Sequence, residues 1–158
     1  MKKFTNITGV LSWINLIIGG LITLFGLIQA LMGGGIVAIL QLLLIGSVVL
    51  HSYAALQLRK SIVNPEFPLD SKTPTGIRFI GFLALMLGVG CVFQGVQVIG
   101  NTKELIDQVE LPEMPKEINV EKMFRGVGYF VLVFGLSVAI NVLLNISLLK
   151  WYRQREQG

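Results

Sequence analysis

Long hydrophobic runs, separated by short polar segments, dominate the chain. Four runs reach the length of about 20 apolar residues that a membrane-spanning helix requires. They cover about residues 7–32, 36–58, 77–99 and 126–149. The first run is longer than the apolar core of a signal peptide, which has about 7–15 residues, so we expect a true span there. The pattern predicts an all-α integral membrane protein, a four-transmembrane-helix bundle in up-down-up-down order, with residues 1–158 forming a single transmembrane domain.

The segments between the spans predict different connections. Three consecutive glycines, 33–35, join the first two spans almost without a loop. Glycine tolerates the positive φ angles of such a turn, so the two spans are expected to be antiparallel neighbours. Residues 59–76 contain three prolines and show no helical period, which predicts a cytoplasmic loop.

The segment between the third and fourth spans, residues 100–125, predicts a short amphipathic helix. Asn101 precedes Glu104 by three residues, which is the spacing of a capping box. Pro112 and Pro115 are expected to end the helix. Its apolar face would hold Leu105, Ile106 and Val109. Such a helix either covers its own bundle and the lipid headgroups or offers a docking surface to a partner.

Composition and charge agree with a membrane protein and suggest its orientation. The chain is 53% hydrophobic and 14% charged, with a mean hydropathy of +0.73 and a net charge of +4. Nine Lys and Arg residues lie on the side of the two termini and of residues 59–76, whereas four lie in the other loop, which also has six acidic residues. Basic residues collect on the cytoplasmic side. We therefore expect a multi-pass protein of the cell (inner) membrane with both termini in the cytoplasm.

Small residues recur at helical spacing in three spans. In lipid, association of helices depends on close backbone approach, which small residues permit. Those of the third span follow steps of 3, 4, 3 and 4 residues and fall within an arc of about 80°. The expected packing stripes are Gly81, Ala84, Gly88, Cys91 and Gly95 in the third span, with Ser12, Gly19, Gly26 and Ala30 in the first. The fourth span has a weaker version in Gly128, Gly135 and Ala139. The sequence leaves open whether these stripes pair within one chain or between chains.

Uncharged polar residues form two layers in the spans, and none of Asp, Glu, Lys or Arg lies deep in them. The layer toward the cytoplasm holds Asn15, Ser47, His51, Asn141 and Asn145. The outer layer holds Gln29, Gln41, Gln94 and Gln97. Both layers suit hydrogen bonds between helices, and both would suit a polar path for a small solute. We expect the His51 ring to hydrogen-bond to a neighbouring helix or to reach the cytoplasmic interface.

Several chemistries lack the residues they need. One cysteine and one histidine do not provide a disulfide, a redox pair or two haem ligands. The chain has no HExxH motif and no paired carboxylates, and proton-coupled carriers generally need an ionisable residue at depth. We therefore expect no cofactor, no metal and no catalytic activity. The net positive charge is explained by the basic residues that flank the spans on the cytoplasmic side, so nucleic acid is not an expected partner.

Three functions fit these observations to different degrees. The first is a structural or interaction component of the membrane, whose partners are the lipid bilayer and either a second copy or another membrane protein. The second is a small oligomeric channel or carrier for an ion or a neutral solute, lined by Asn, Gln, Ser and His. The third is an enzyme acting on lipid, for which no motif is present.

Overall fold

The computed structural model describes residues 2–33, 35–109 and 119–157, and the described chain is all-helical. Its five helices are α1 (Lys2–Leu31), α2 (Gly35–Val63), α3 (Thr73–Gly100), α4 (Thr102–Gln108) and α5 (Val120–Gln157). All except α4 are long and apolar enough to cross a membrane. The chain is therefore a helical protein with four membrane-spanning candidates, as the hydrophobic runs predict.

The helices continue beyond the apolar runs at both ends of the bundle. The segment 59–76, predicted to be a loop, is helical up to Val63 and again from Thr73, so the connection is only residues 64–72. Pro74 lies in the first turn of α3, where the missing N–H of proline costs no hydrogen bond. An apolar run marks the part of a helix that meets hydrocarbon, whereas polar residues at the membrane surface continue the same backbone hydrogen bonds.

The short helix α4 follows α3 after a single residue, Asn101. The backbone N–H of Asn101 still bonds to the Gln97 carbonyl, and Thr102 donates its hydroxyl to the Val98 carbonyl at 2.6 Å. The predicted capping box is absent, because the Asn101 side chain makes no capping hydrogen bond. The two prolines expected to end this helix lie outside the described residues.

In the turn between α1 and α2, the structure describes two glycines with positive φ angles, Gly33 and Gly35. Gly33 has a φ angle of +103° and Gly35 one of +63°, both in the region that side chains disfavour. The N–H of Met32 still bonds to the Ile28 carbonyl at 3.0 Å, so α1 keeps its helical bonding up to the turn. The next helix begins at Gly35 itself.

The most extensive helix pairings are α3 with α5 and α1 with α2. Two apolar clusters fill the interior at different heights. We call one the central apolar layer, which consists of Val48, Ala84, Phe134, Val138 and Val142. The other, the terminal apolar layer, lies near the end of the bundle that holds the two chain termini and consists of Leu58, Ile77, Leu148 and Leu149.

Large apolar side chains cover the outside of the bundle. Phe25, Phe79 and Phe93 are 68–69% exposed, and many Leu, Ile and Val residues have more than half of their surface exposed. Soluble proteins rarely expose contiguous apolar surface of this extent. Hydrocarbon is the solvent that suits such a surface.

Candidate functional site

The inner face of α1 consists of polar residues and glycine. The buried residues of this helix, among those that the structure describes, are Thr5, Thr8, Gly9, Ser12, Asn15 and Gly19. Its large apolar side chains are instead partly or fully exposed. The helix therefore joins the bundle through hydrogen bonds and close backbone approach, which are the forces that remain effective in lipid.

Four side chains link α1 to α5. Ser12 donates its hydroxyl to Oδ1 of Asn141 at 3.0 Å. Ser137 donates to Oδ1 of Asn15 at 2.9 Å, and Nδ2 of Asn15 donates to the Ser137 backbone carbonyl at 3.3 Å. One turn further along α5, Nδ2 of Asn145 donates to Oδ1 of Asn141 at 2.9 Å and to its carbonyl at 2.8 Å. The structure thus places three of the five predicted residues of the inner polar layer, Asn15, Asn141 and Asn145, in two hydrogen-bonded groups between α1 and α5. One group is Asn15 with Ser137, and the other is Asn141 with Ser12 and Asn145.

The other two members of that layer, both on α2, behave differently. Ser47 is buried and donates to the Leu44 carbonyl of its own helix at 2.6 Å. His51 is only 1% exposed, and its ring lies against Gly81, where an added Cβ would stand 3.0 Å from Nδ1.

Neither ring nitrogen of His51 has a hydrogen-bond partner. The backbone of Ile77 on α3 lies near the ring, but outside hydrogen-bond geometry. The ring therefore lies against α3 without a well-formed hydrogen bond to it, and it does not reach the interface. The sequence pattern could not predict that the ring is fully buried, because its burial depends on which helix packs over it.

The inner polar layer is closed on both sides. Asn15, His51, Asn141 and Asn145 have at most 1% of their surface exposed. The terminal apolar layer, with Leu58 and Ile77 fully buried, lies between them and the end of the bundle. The central apolar layer begins at the height of the asparagines with Val142 and continues along α5 through Val138 to Phe134. A water-filled passage would leave the side chains that line it accessible to water. The arrangement described here therefore encloses these polar groups.

The predicted outer layer does not form. Gln29, Gln41, Gln94 and Gln97 are all exposed. Gln94 and Gln97 line an open groove with Asn101 and Leu105, and its volume is about 310 Å³. The sequence pattern could not give the direction in which each of these side chains points.

The glycine stripe of α3 packs mainly against the glycine stripe of α5. A Cβ added to Gly135 would stand 2.6 Å from the Gly88 carbonyl oxygen, and one added to Gly95 would stand 2.7 Å from the Leu132 backbone nitrogen. Ala84 is fully buried and Cys91 is half-buried, and a Cβ added to Gly135 would stand 2.8 Å from the Cβ of Cys91. This pairing lies within one chain.

The small residues of α1 divide between two neighbours. Gly19 lies against Val48 and Val49, and Gly26 lies against Leu42, all on α2. Ser12 instead contacts α5 through its bond to Asn141. Ala30 is only half-buried near the turn.

One close contact at the end of α2 was missed by the sequence reasoning. A Cβ added to Gly9 would stand 2.6 Å from Nε of Arg59, so the guanidinium side chain lies across the glycine of the neighbouring helix. Nε of Arg59 is buried without a hydrogen-bond partner, and so is the hydroxyl of Ser52. Gly9 and Arg59 are at similar distances along the chain from the glycines 33–35, and this spacing could have suggested the contact.

No group of three or more His, Cys, Asp and Glu side chains that could hold a metal ion occurs among residues 2–33, 35–109 and 119–157. Comparison of the chain with protein-family models, with curated proteins and with solved structures finds no match.

Proposed function

We propose that this chain is a structural or interaction component of a membrane, which associates with a second copy or with another membrane protein and carries no catalytic activity of its own. The observation that carries the proposal is the closed inner polar layer. Asn15 bonds to Ser137, Asn141 bonds to Ser12 and Asn145, and the two apolar layers pack against these residues. Polar groups arranged in this way hold helices together.

The proposal includes a topology. The bundle lies in the cell (inner) membrane in up-down-up-down order, with both termini in the cytoplasm and α4 on the outer surface. The nine-to-four distribution of basic residues supports this orientation. The contacts of Gly9 with Arg59, Gly19 with Val48 and Gly26 with Leu42 have the progression expected for antiparallel neighbours.

The surface for association is the half of the α1–α2 hairpin next to the glycine turn. Among the described residues 20–46, only Ala38 is buried, and Leu31, Met32 and Ile36 are 74–84% exposed. The glycine stripes of α3 and α5 pack against each other within the chain, so they offer little surface to a partner. Association through the hairpin would bury apolar side chains that the monomer leaves to lipid.

A channel or carrier is the second candidate, and His51 favours it. A buried ring with two unpartnered nitrogens, next to the unpartnered hydroxyl of Ser52, is costly in a static core. Opening of the terminal apolar layer would let water reach both side chains. It would also open a path for a solute toward Asn141 and Asn145.

Purification in mild detergent with mass measurement tests the first proposal, and a liposome flux assay tests the second. We expect a particle heavier than the 17.4 kDa chain with its detergent, and liposomes as tight as empty ones. Charged substitutions at Leu31 and Ile36 should return the particle to monomer, whereas the same change at Phe93, exposed on α3, should not. A monomer without a co-purifying protein, together with solute flux that His51→Leu abolishes, would replace the first proposal by the second.

A further inference from the structure

A basic groove lies between α1 and α2 at the end of the bundle that holds the chain termini. Trp13 comes from α1, and Leu56, Arg59, Lys60, Val63 and Asn64 come from the end of α2 and the residue after it. The groove has a volume of about 310 Å³ and is open to its surroundings. Two cations therefore border a space that also has apolar walls.

Both cations lack an acidic partner. Among the described residues, neither Arg59 nor Lys60 forms an ion pair; the salt bridge that the structure shows joins Arg125 to Glu121. The Lys60 ammonium lies 4.2 Å from the centre of the Phe67 ring, which holds it near the helix without neutralising it. The charge at this groove is therefore available to an anion.

Arg59 is also held in place. Its side chain lies across Gly9, and its Nε is buried without a hydrogen-bond partner. A guanidinium fixed along its stem loses less conformational freedom when its outer N–H groups bind an anion. Phosphate is the anion whose oxygens match the guanidinium fork.

The depth of the groove indicates where such a phosphate would come from. Arg59 is the first charged residue after 55 residues, 4–58, that contain no Asp, Glu, Lys or Arg, so it marks the edge of the hydrocarbon region. Trp13 is four residues beyond Gly9, hence about 6 Å deeper in the membrane. Tryptophan prefers the boundary between headgroups and acyl chains. A ligand in this groove would place its phosphate at Arg59 and its own apolar chain beside Trp13.

We propose that the groove binds an anionic phospholipid, whose phosphate contacts Arg59 and Lys60 and whose acyl chain lies along Trp13 and Leu56. This inference rests on the membrane-spanning helices and is independent of the proposed interaction role, so either can fail alone. The chemistry shared with a soluble ligand is the phosphate group. The apolar wall at Trp13 favours a lipid as its source.

Trp13 fluorescence provides a direct readout. The chain has two tryptophans, so Trp151→Phe leaves Trp13 alone. In bilayers that mix phosphatidylglycerol with phosphatidylcholine, either lipid can carry the bromine atoms that quench tryptophan. We expect stronger quenching by the brominated anionic lipid. Removal of one groove cation should lower this preference about fivefold, which is the contribution of one basic side chain to the binding of an anionic lipid that it contacts.

The matched variants are Arg59→Gln and Lys60→Gln in the groove and Arg78→Gln outside it. Arg78 is exposed on the first turns of α3 at the same end of the bundle, so its replacement removes the same charge from the same membrane surface. We expect it to leave the preference unchanged. Lys60→Gln is the safer groove variant, because Lys60 is exposed and its loss leaves the Arg59 contact intact.

Three results would overturn the proposal. Equal quenching by the two brominated lipids would show that no anionic site lies beside Trp13. Equal losses for Lys60→Gln and Arg78→Gln would assign the preference to the general surface charge. Relief of quenching by inorganic phosphate, at matched ionic strength with chloride as the reference, would show that the groove takes a free phosphate and not a lipid.

Discussion

Asn15 on α1 and Ser137 on α5 exchange two hydrogen bonds across the bundle. The Ser137 hydroxyl donates to the Asn15 side-chain oxygen, and the Asn15 amide nitrogen donates to the Ser137 backbone carbonyl. The two residues are 122 positions apart in the chain. This pair therefore fixes the relation of the first helix to the last.

A double-mutant cycle should measure this link. Asn15→Ala and Ser137→Ala are each expected to lower the free energy of unfolding, and the double variant should lose less than the sum. Couplings of this kind in membrane proteins average about 0.6 kcal/mol and reach about 1.7 kcal/mol. Denaturant unfolding in detergent gives the energies. Ser147→Ala is the control, since its exposed hydroxyl bonds only to its own helix. Additive losses at Asn15 and Ser137 would contradict the pairing.

The contact between α3 and α5 should not tolerate a methyl group. Gly95→Ala and Gly135→Ala are each expected to cost about 1–3 kcal/mol of stability, because the new Cβ meets backbone atoms at 2.6–2.7 Å. Gly90, which like Gly95 is on α3, has no atom within 4 Å of an added Cβ. Gly90→Ala should therefore leave the melting temperature unchanged or raise it. Equal melting temperatures for all three variants would contradict the close packing of α3 against α5.

Replacement of His51 by leucine should stabilise the bundle. The ring has two buried nitrogens without partners, and an apolar side chain of similar volume removes that cost, which is about 1–3 kcal/mol for a buried unsatisfied group. Asn145→Leu should instead destabilise, because it loses two hydrogen bonds to Asn141. Thermal unfolding of both variants separates the cases. A loss of stability at His51 as large as that at Asn145 would mean that the ring has a partner.

A methyl group at Gly9 should disturb the basic groove without removing any charge. The new Cβ would stand 2.6 Å from Nε of Arg59, so the guanidinium must move. We expect Gly9→Ala to lower the anionic preference of Trp13 quenching, while Gly20→Ala, with no atom within 4 Å of its added Cβ, preserves it. An unchanged preference in Gly9→Ala would show that the position of Arg59 is immaterial to lipid binding.

Cysteine labelling should establish the orientation. Cys91 is the one cysteine, so Cys91→Ala gives a background in which single thiols can be placed. A thiol at Gln108 should react with an impermeant maleimide in intact cells, and one at Lys3 should react only after the membrane is opened. Reaction of the Lys3 thiol from outside would reverse the proposed topology.

The apolar runs predicted the number of long helices, because about 20 hydrophobic residues in sequence have few alternatives to a spanning helix. They could not predict where α2 and α5 end. Arg59 and Lys150 stop the hydrophobic pattern, but the helical hydrogen bonds continue to Val63 and Gln157. Hydropathy indicates which part of a helix lies in hydrocarbon, whereas the helix itself can continue into the polar region beyond it.

The candidate site was predictable only in part. Asn141 and Asn145 are one turn apart, so their contact follows from helical geometry. The bonds from Ser12 and Asn15 to α5 depend on which helices become neighbours, and no local pattern contains that information. The same holds for His51, whose predicted hydrogen bond is absent because Gly81 and its surroundings offer the ring no polar partner in bonding geometry.

The glycine turn between α1 and α2 has a consequence for how the protein is made. The first hairpin has no charged residue from 4 to 58, so it can enter the membrane without carrying charge across. In the proposed topology, the second hairpin transfers the ten charged residues of 101–125, each of which is costly to move through hydrocarbon. Ser12 and Asn15 precede their partners on α5 by 129 and 122 positions. Since α1 is translated before α5, these hydrogen bonds can form only after α5 has been made.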